Sequence, residues 1–379
     1  MRSVKVAHLT TVHSAVDNRI FRKECRALAR AGFNVTSIGP HSEDALIDQV
    51  SVKAVPRDEP RVARMTRTVW RVYREALKID ADVYHFHDPE LIPIGLLLRA
   101  RGRCVIYDVH EDMPRDILSK YYLPTWLRPL MAWAAERIEV TASSRFSGVV
   151  TVTPSIAKRF ETLNGQTLII YNYPCTEELM ASESPAAWET RRRSVAYVGS
   201  ITPERGIREM VFAMGLLSPS LQATLELAGP KVPENANPEQ LSGHPGWARV
   251  RHHGQLPQRA TFHLLHNVRG GLVLLHPGPN HTEALPQKIF EYMGAGLPVI
   301  ASDFPLWRDI LGEIGCAIFV DPKDQRAIAQ AIEYILTHPS EAEEMGRRGK
   351  TAVLDRYNWD VEATKLVDFY SRLMGVCAA

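Results

Sequence analysis

Ser194-Val-Ala-Tyr-Val-Gly199-Ser-Ile-Thr-Pro-Glu-Arg205-Gly206-Ile207 reads as a buried strand, a six-residue loop and the start of a helix. The apolar run is short and rich in β-branched residues, Gly199 permits close backbone approach, and Gly206 opens the next periodic stretch. This unit restarts a pattern that already runs through the first half. There, strands are predicted at Val4–Leu9, Phe33–Ile38, Val83–Phe86, Cys104–Asp108, Gly148–Val152 and Leu168–Ile170. Helices are predicted near Asn18–Ala31, 62–78, 91–100, 125–145 and 154–163. After Ser194 come strands near 195–199, 223–228, 249–253, 272–275, 298–301 and 316–319, with helices near 206–217, 257–266, 286–295, 305–311 and 324–336. Alternation of this kind predicts mostly parallel sheets covered on both faces.

Residues 173–194, with Pro174, Pro185, acidic residues and Arg191-Arg192-Arg193, have linker composition. The expected architecture is therefore α/β, with two doubly wound Rossmann-like domains. Residues 1–172 form the first, 173–356 the second, and 357–379 a helix that reaches back toward the first. Its apolar spine is Trp359, Leu366, Phe369 and Leu373. A ligand cleft is expected between the strand C-terminal ends of the two domains.

The 379 residues are 45% hydrophobic and 23% charged, ordinary globular usage that excludes disordered, collagenous and coiled-coil classes. No apolar run reaches the roughly 18 residues of a membrane helix, and the opening Met1–Leu9, broken by Lys5 and His8, reads as a strand and not a signal peptide. Five scattered cysteines (25, 104, 175, 316, 377) predict a reduced, cytosolic protein. Residues 1–172 hold 25 Lys+Arg against 19 Asp+Glu, a net of +6, and the remainder nets −4. That asymmetry is too weak for a nucleic-acid binder, so no nucleic acid is expected as a partner.

Two segments carry chemistry. In Glu283-Ala-Leu-Pro-Gln-Lys-Ile-Phe-Glu291, Pro286 suits a helix start and Gly296 a helix end. Free N–H groups around Leu285–Lys288 would meet a phosphate, Lys288 adds a cation, and Glu291 can accept two hydrogen bonds from a ribose diol. The alternative is an ordinary helix whose early acids complement its dipole. In the Gly199 loop, Arg205 could clamp a diphosphate bidentately, or the segment is a plain βα turn with an exposed arginine. Neither G-x-G-x-x-G after the first strand nor G-x-x-x-x-G-K-S/T occurs, which removes the main support for dinucleotide and P-loop readings.

Together these segments resemble the donor-binding half of glycosyltransferase family 4, the retaining enzymes of the GT-B fold. The resemblance is strongest from Tyr197 to Arg205 and from His281 to Ser302, through Glu291-Tyr-Met-Gly-Ala-Gly-Leu-Pro-Val-Ile-Ala-Ser302. In the first half, Tyr107-Asp-Val-His110-Glu-Asp112, Val6-Ala-His-Leu-Thr-Thr and Asp17-Asn-Arg-Ile-Phe-Arg-Lys-Glu24 are similar to family stretches. The resemblance implies sugar transfer from a nucleotide sugar with retained configuration, and no metal or other cofactor. It implies that Arg205 and Lys288 hold the diphosphate, with Gly199, Ser200, Leu285 and Pro286 around it. Glu291 would take the ribose and Glu283 the donor sugar. The backbone near Gly254 and Leu256 would lie against the base, and His110 would face the donor sugar. His110, Glu283 and Arg205 are the residues expected to carry catalysis. Two departures stand out. Ser200 occupies a position where the family often has arginine, and Thr10-Thr-Val-His-Ser14 replaces a common glycine pair.

Such a transfer depends on stabilising the departing diphosphate more than on a protein base. The implied donor is a UDP-sugar, ahead of a GDP-sugar. The implied acceptor is a hydroxyl of a lipid-linked saccharide or small natural product. An epimerase of the same fold and a sugar-nucleotide binder without turnover are the rival readings.

Other signals are weaker. Asp80-Ala-Asp82 fits a metal-binding D-x-D but precedes its strand, so it reads as a solvated turn. His85-Phe-His87-Asp-Pro-Glu90 ends that strand. His87 and Asp88 either line an acceptor site or cap and pack, and the two histidines with two carboxylates could also bind metal. His252-His253 reads as strand surface. Over Arg61–Ala76, Val62, Met65, Val69, Val72 and Ala76 share one helical face, opposite Arg61, Arg64, Arg67, Arg71 and Arg74. With Tyr121–Arg128 this suits peripheral contact with the inner face of a membrane, or else a solvated arginine face.

Overall fold

The computed structural model describes residues 3–110, 112–119, 123–180, 187–230, 241–278 and 280–377. The chain divides into two compact units. One runs to Asn172 and resumes at Trp359; the other is Tyr173–Asn358.

The first unit is built on an eight-stranded sheet: β1 Lys5–Leu9, β2 Asn34–Pro40, β3 Ala45–Ile47, β4 Val50–Val55, β5 Val83–Phe86, β6 Cys104–Val109, β7 Gly148–Thr151 and β8 Thr167–Ile169. Their order is β3-β4-β2-β1-β5-β6-β7-β8, parallel throughout except for the β3–β4 pair. The central strands are buried along their length, as a parallel sheet covered on both faces requires. Helix Trp359–Cys377 belongs to this unit and packs on it. Phe369 and Leu373 lie where any side chain at Gly148 would sit, a Cβ there falling 2.6 Å from Phe369. Each of those two buried side chains contributes roughly 1.5–3 kcal/mol to the docking of the helix.

The second unit has six parallel strands: β9 Ser194–Val198, β10 Thr224–Ala228, β11 Val250–Gly254, β12 Gly270–Val273, β13 Val299–Ser302 and β14 Ala317–Val320. Their order is β11-β10-β9-β12-β13-β14. Each sheet therefore reverses direction of growth once, between β1 and β5 and between β9 and β12. Ligands in doubly wound sheets bind at such switch points, beyond the strand C-termini.

The structure adds elements to the sequence reading, the short helices Met113–Ser119 and Thr176–Met180 among them. The antiparallel β3 and its partner β4 were not predicted, although Val50-Ser-Val-Lys-Ala-Val alternates as a strand should. Helix Pro339–Asp355 was also unpredicted; its buried face is the small-residue set Ala342, Gly346, Gly349 and Val353.

One reading is corrected. The 62–78 helix is present, continuous from Arg61 to Ile79, but Arg64–Thr68 within it is a widened π-type stretch. The widened stretch changes the number of residues per turn, so the 3.6-residue apolar face does not run unbroken through it. Val69, Val72 and Ala76 are buried, but Val62 is 76% and Met65 46% exposed. Nor is the basic face all free: Arg64 makes a bidentate pair with Glu90 at 3.1 Å, and Arg71 pairs with Asp58 at 2.8 Å.

Candidate functional site

In the first unit the switch point lies where β1 and β5 run side by side, with Leu9 in register with Phe86. The chain after β1 turns at Thr10–Val12, and Asp88 holds that turn. Its Oδ2 accepts from Thr10 Oγ1 at 2.8 Å, from the Thr11 N–H at 2.6 Å and from the Val12 N–H at 3.1 Å. Asp88 is thus committed to capping. Its Oδ1 lies 3.6 Å from His13 Nε2, and Thr11 Oγ1 donates to Glu90 at 2.5 Å. A cavity of about 220 Å³ opens here, lined by His13, Arg64, His87, Asp88, Glu90 and His110 among others.

His110 follows β6. Its Nδ1 lies 3.5 Å from Asp108 Oδ1, and its Nε2 lies 3.4 Å from His13 Nε2. Asp108 is fully buried. Burial would raise its carboxyl, but Arg19 and the rings of His110 and His87 outweigh this and hold it well below the usual carboxylate range. His110 thus has an ionised carboxylate behind it and a cavity in front. Its neighbour Glu111 lies outside the described residues, as do Tyr121 and Tyr122. Asp80 and Asp82 lie at the opposite end of β5, where the Asp82 side chain accepts the Lys5 N–H at 2.9 Å. They are turn and capping residues.

Behind the cavity is a group that the sequence reading largely missed: His8, Glu24, His85, His87 and Asp108, each buried. Period-two alternation puts His85 and His87 on one face, and His8 is the register partner of His85 on the neighbouring strand. That much was available in the sequence. The burial of Glu24 depends on how the segment Ile20–Cys25 packs, and nothing local announced it.

In the second unit, the ends of β9, β10 and β11 carry Gly199, Gly229 and Gly254. The Gly199 N–H donates to Ala228 O at 2.9 Å and the Gly229 N–H to Gly254 O at 2.8 Å, so three strand ends are stitched together. A Cβ on Gly229 would fall 1.8 Å from Gly199 O, and Gly199 itself has φ +136°. Only glycine fits this cradle. Gly229 was missed, although it ends its strand as Gly199 does.

Beside the cradle stands helix Gln287–Gly294, entered through the extended residue Pro286 after Leu285, with Lys288 and Glu291 on it. Lys288 is buried, its Nζ makes no hydrogen bond, and a Cβ on Gly199 would meet it at 2.4 Å. Burial first, and Arg205 next, push its ammonium down to about 7 against a pull upward from Glu291. Arg205 ends the short turn Pro203–Arg205, before Gly206 at φ +75°. Its side chain reaches the Tyr197 hydroxyl, and that hydroxyl donates to Ser200 O at 2.7 Å. Among the described residues neither Arg205 nor Lys288 has a carboxylate within ion-pairing distance. Glu291 accepts from Gln287 Nε2 at 2.7 Å.

Glu283 lies exposed in the turn before the helix, a turn fixed by the Trp307 indole donating to Ala284 O at 2.7 Å. Leu256, half-buried, follows Gly254 in the loop after β11. On that edge strand His253 Nε2 lies 2.7 Å from the buried Glu226.

Residues 182–352 match the family described as "Glycosyl transferases group 1", and residues 18–173 match "Glycosyltransferase Family 4". An "MMP alpha-(1->4)-mannosyltransferase" of Mycolicibacterium hassiacum is 22% identical over 79% of this chain and 72% of its own length. A "Phosphatidyl-myo-inositol mannosyltransferase" of Mycobacterium leprae is 24% identical over 79% and 76%. Among solved structures, a sucrose-phosphate synthase from Thermosynechococcus elongatus superposes with TM-score 0.76 at 18% identity, covering 99% of this chain and 100% of that one. Anabaena HepE in complex with UDP-glucose gives TM-score 0.71 at 13% identity, covering 97% and 99%. At such identities these structures speak to the fold alone.

Proposed function

The chain belongs to the group 1 glycosyltransferases, and from that premise we propose that it moves a hexosyl group from a UDP-sugar to a hydroxyl acceptor with retention of configuration. The observation that carries the donor half is the pair of cations, Arg205 and Lys288, left without carboxylate partners among the described residues, beside a glycine cradle at a helix N-terminus. Burying Lys288 without a partner is costly, and a diphosphate would restore the balance. The same two cations supply the charge stabilisation that the leaving diphosphate needs, so the transfer requires no divalent ion there. Glu291, already oriented by Gln287, takes the ribose hydroxyls, and Glu283 those of the donor sugar. Gly254 and Leu256 lie against the base.

The cavity at His110 is the acceptor side in this reading. It mixes imidazoles, carboxylates and Arg64, groups suited to hydroxyls. The departing phosphate takes the acceptor proton on the same face. His110, with the Asp108 carboxylate behind it, stabilises the reacting sugar. The similarity to a phosphatidyl-myo-inositol mannosyltransferase supports a lipid-linked sugar acceptor.

No helix among the described residues is long and apolar enough to cross a membrane. Peripheral contact is favoured by a different surface from the arginine face: Trp126, Leu130 and Trp133 stand 75%, 57% and 56% exposed on one stripe entering helix Leu127–Ser143. The enzyme then works in the cytosol, on the inner membrane face.

A thermal-shift series with UDP-, GDP-, dTDP-, ADP- and CMP-sugars tests the donor. A ligand bound only by the folded state adds about 2.7 kcal/mol at a hundred times its dissociation constant. A shift with UDP-sugars, followed by an α-linked product from an α-donor, is expected. A flat response to all five removes the donor assignment, and an inverted product removes retention.

A further inference from the structure

We propose that His8, Glu24, His85 and His87 form a buried site for one divalent transition-metal ion, zinc by its donor set, which pins the C-terminal helix to the first unit's sheet. One donor atom from each of the four lies within 4.8 Å of the others, and all four residues are buried. His8 Nδ1 is 2.9 Å from His87 Nε2, and each is 3.9 Å from Glu24 Oε2. A tetrahedral zinc site with ligand bonds of about 2.0–2.1 Å has edges of about 3.3 Å. Among these three atoms the short edge must open by about 0.4 Å and the two long ones close by about 0.6 Å, and the edges to His85, none longer than 4.8 Å, must close by up to about 1.5 Å.

The unsatisfied atoms point the same way. Among the described residues Glu24 Oε2 and His85 Nε2 lack a hydrogen bond, although they are sealed from water, and Glu24 Oε1 has only the Arg19 guanidinium beside it. Buried polar atoms are nearly always paired, and each orphan costs on the order of 1–3 kcal/mol. A single ion would bind Glu24 Oε2, His85 Nε2, His8 Nδ1 and His87 Nε2, in place of the contact between the two rings.

The remaining atoms are arranged as an outer shell. His85 Nδ1 is 2.7 Å from the Tyr370 hydroxyl, His87 Nδ1 is 3.4 Å from Asp108 Oδ2, and Glu24 Oε1 is 3.2 Å from Arg19 Nε. Such partners fix the ring orientation of metal-bound histidines. His87 also lines the cavity, which gives an ion its way in. With four protein donors the site is closed, so the ion is structural and separate from the donor diphosphate. Tyr370 lies on helix Trp359–Cys377, and through it the ion would secure that helix.

The test is metal analysis of the full chain, purified without chelator and also refolded with zinc or cobalt. Near one ion per chain is expected, with a tetrahedral d–d spectrum for cobalt. His85→Asn and Glu24→Gln should lose the ion. Because either could fail to fold, Tyr370→Phe is the second variant: it keeps every ligand and the ring, and should weaken the ion roughly 10–100-fold in chelator competition. Removing the ion should lower the unfolding midpoint and expose helix 359–377 to hydrogen exchange. Metal-free protein after both preparations overturns the proposal. So does stoichiometric ion in folded Glu24→Gln or His85→Asn, or unchanged affinity in Tyr370→Phe.

Discussion

The Lys288 ammonium sits over the face of Tyr197, 4.2 Å from the ring centroid, and makes no hydrogen bond. A ring quadrupole replaces only part of the hydration a lysine loses on burial. The pKa of about 7 is the consequence, and if the donor diphosphate sits on Lys288 as proposed, its binding is sensitive to pH. The diphosphate prefers the charged lysine, and above pH 7 the free protein must take up a proton to offer it. Donor affinity should therefore be flat below pH 7 and fall toward tenfold per unit above it, until the pKa of the complex is reached. Titration calorimetry in buffers of different ionisation enthalpy reads both the affinity and the proton uptake. An affinity independent of pH from 6 to about 9 would mean that Lys288 does not meet the diphosphate.

The same residue has an opposite signature in the ligand-free protein. Unfolded lysine titrates near 10.5 and the folded one near 7, so between those values the unfolded chain binds more protons. Stability from this group rises with pH across that window and is lowest below pH 7. Lys288→Met should raise the melting temperature at pH 6.5, with the gain fading as pH approaches about 10.5, while abolishing donor binding. Loss of stability in this variant at pH 6.5 would indicate a partner for the ammonium.

Glu291→Ala tests the ribose contact against a mere helix-dipole role. Losing hydrogen bonds to a charged group costs about 1.5–3 kcal/mol, or on the order of ten- to a hundredfold in affinity. The variant should bind donor that much more weakly and melt normally. Normal binding with early melting assigns the carboxylate to the helix instead. Arg205→Ala should weaken UDP far more than uridine.

His110 is carried by the first unit, and the role proposed for it at the reacting sugar would act on turnover more than on donor affinity. His110→Ala should lower the rate at least ~100-fold, as one positioned polar group can, and change donor affinity by less than about tenfold. Near-normal turnover in a stable variant removes His110 from the mechanism.

What the sequence revealed follows from which forces act locally. Val83–Phe86 and Cys104–Val109 are apolar runs of strand length, and their places were legible because a parallel sheet buries both faces of every central strand. Pro339–Asp355 was not, because its core face is glycine and alanine; Gly346 packs against the Gly296 carbonyl, a contact that apolar periodicity does not register. In the candidate site, helix-start chemistry pointed to Lys288 and Glu291, which both lie on helix Gln287–Gly294. Glu24 and Asp108 were not, since the environment of a buried carboxylate is assembled from distant segments: Arg19, His87 and the helix bearing Tyr370. The arginine stripe misled for the same reason. Helical spacing could not show that Arg64 would turn toward Glu90.

That correction sharpens the membrane experiment. Trp126, Leu130 and Trp133 follow i, i+4, i+7 spacing, with the exposed Arg137 extending the stripe, so two indoles and a basic group face outward together. Indoles settle at the headgroup level, and a basic residue near an anionic surface adds roughly 1 kcal/mol. The full chain should sediment with vesicles rich in anionic lipid at low salt. Trp126→Ser with Trp133→Ser should reduce binding at any salt, whereas Arg137→Ser should reduce it only at low salt, because ionic attraction is screened beyond about 10 Å at 0.1 M. Arg64→Ser should have no comparable effect on sedimentation, since that guanidinium is already spent on Glu90. Equal recovery with neutral and anionic vesicles, unchanged by the tryptophan substitutions, would remove membrane contact and shift the acceptor toward a soluble molecule.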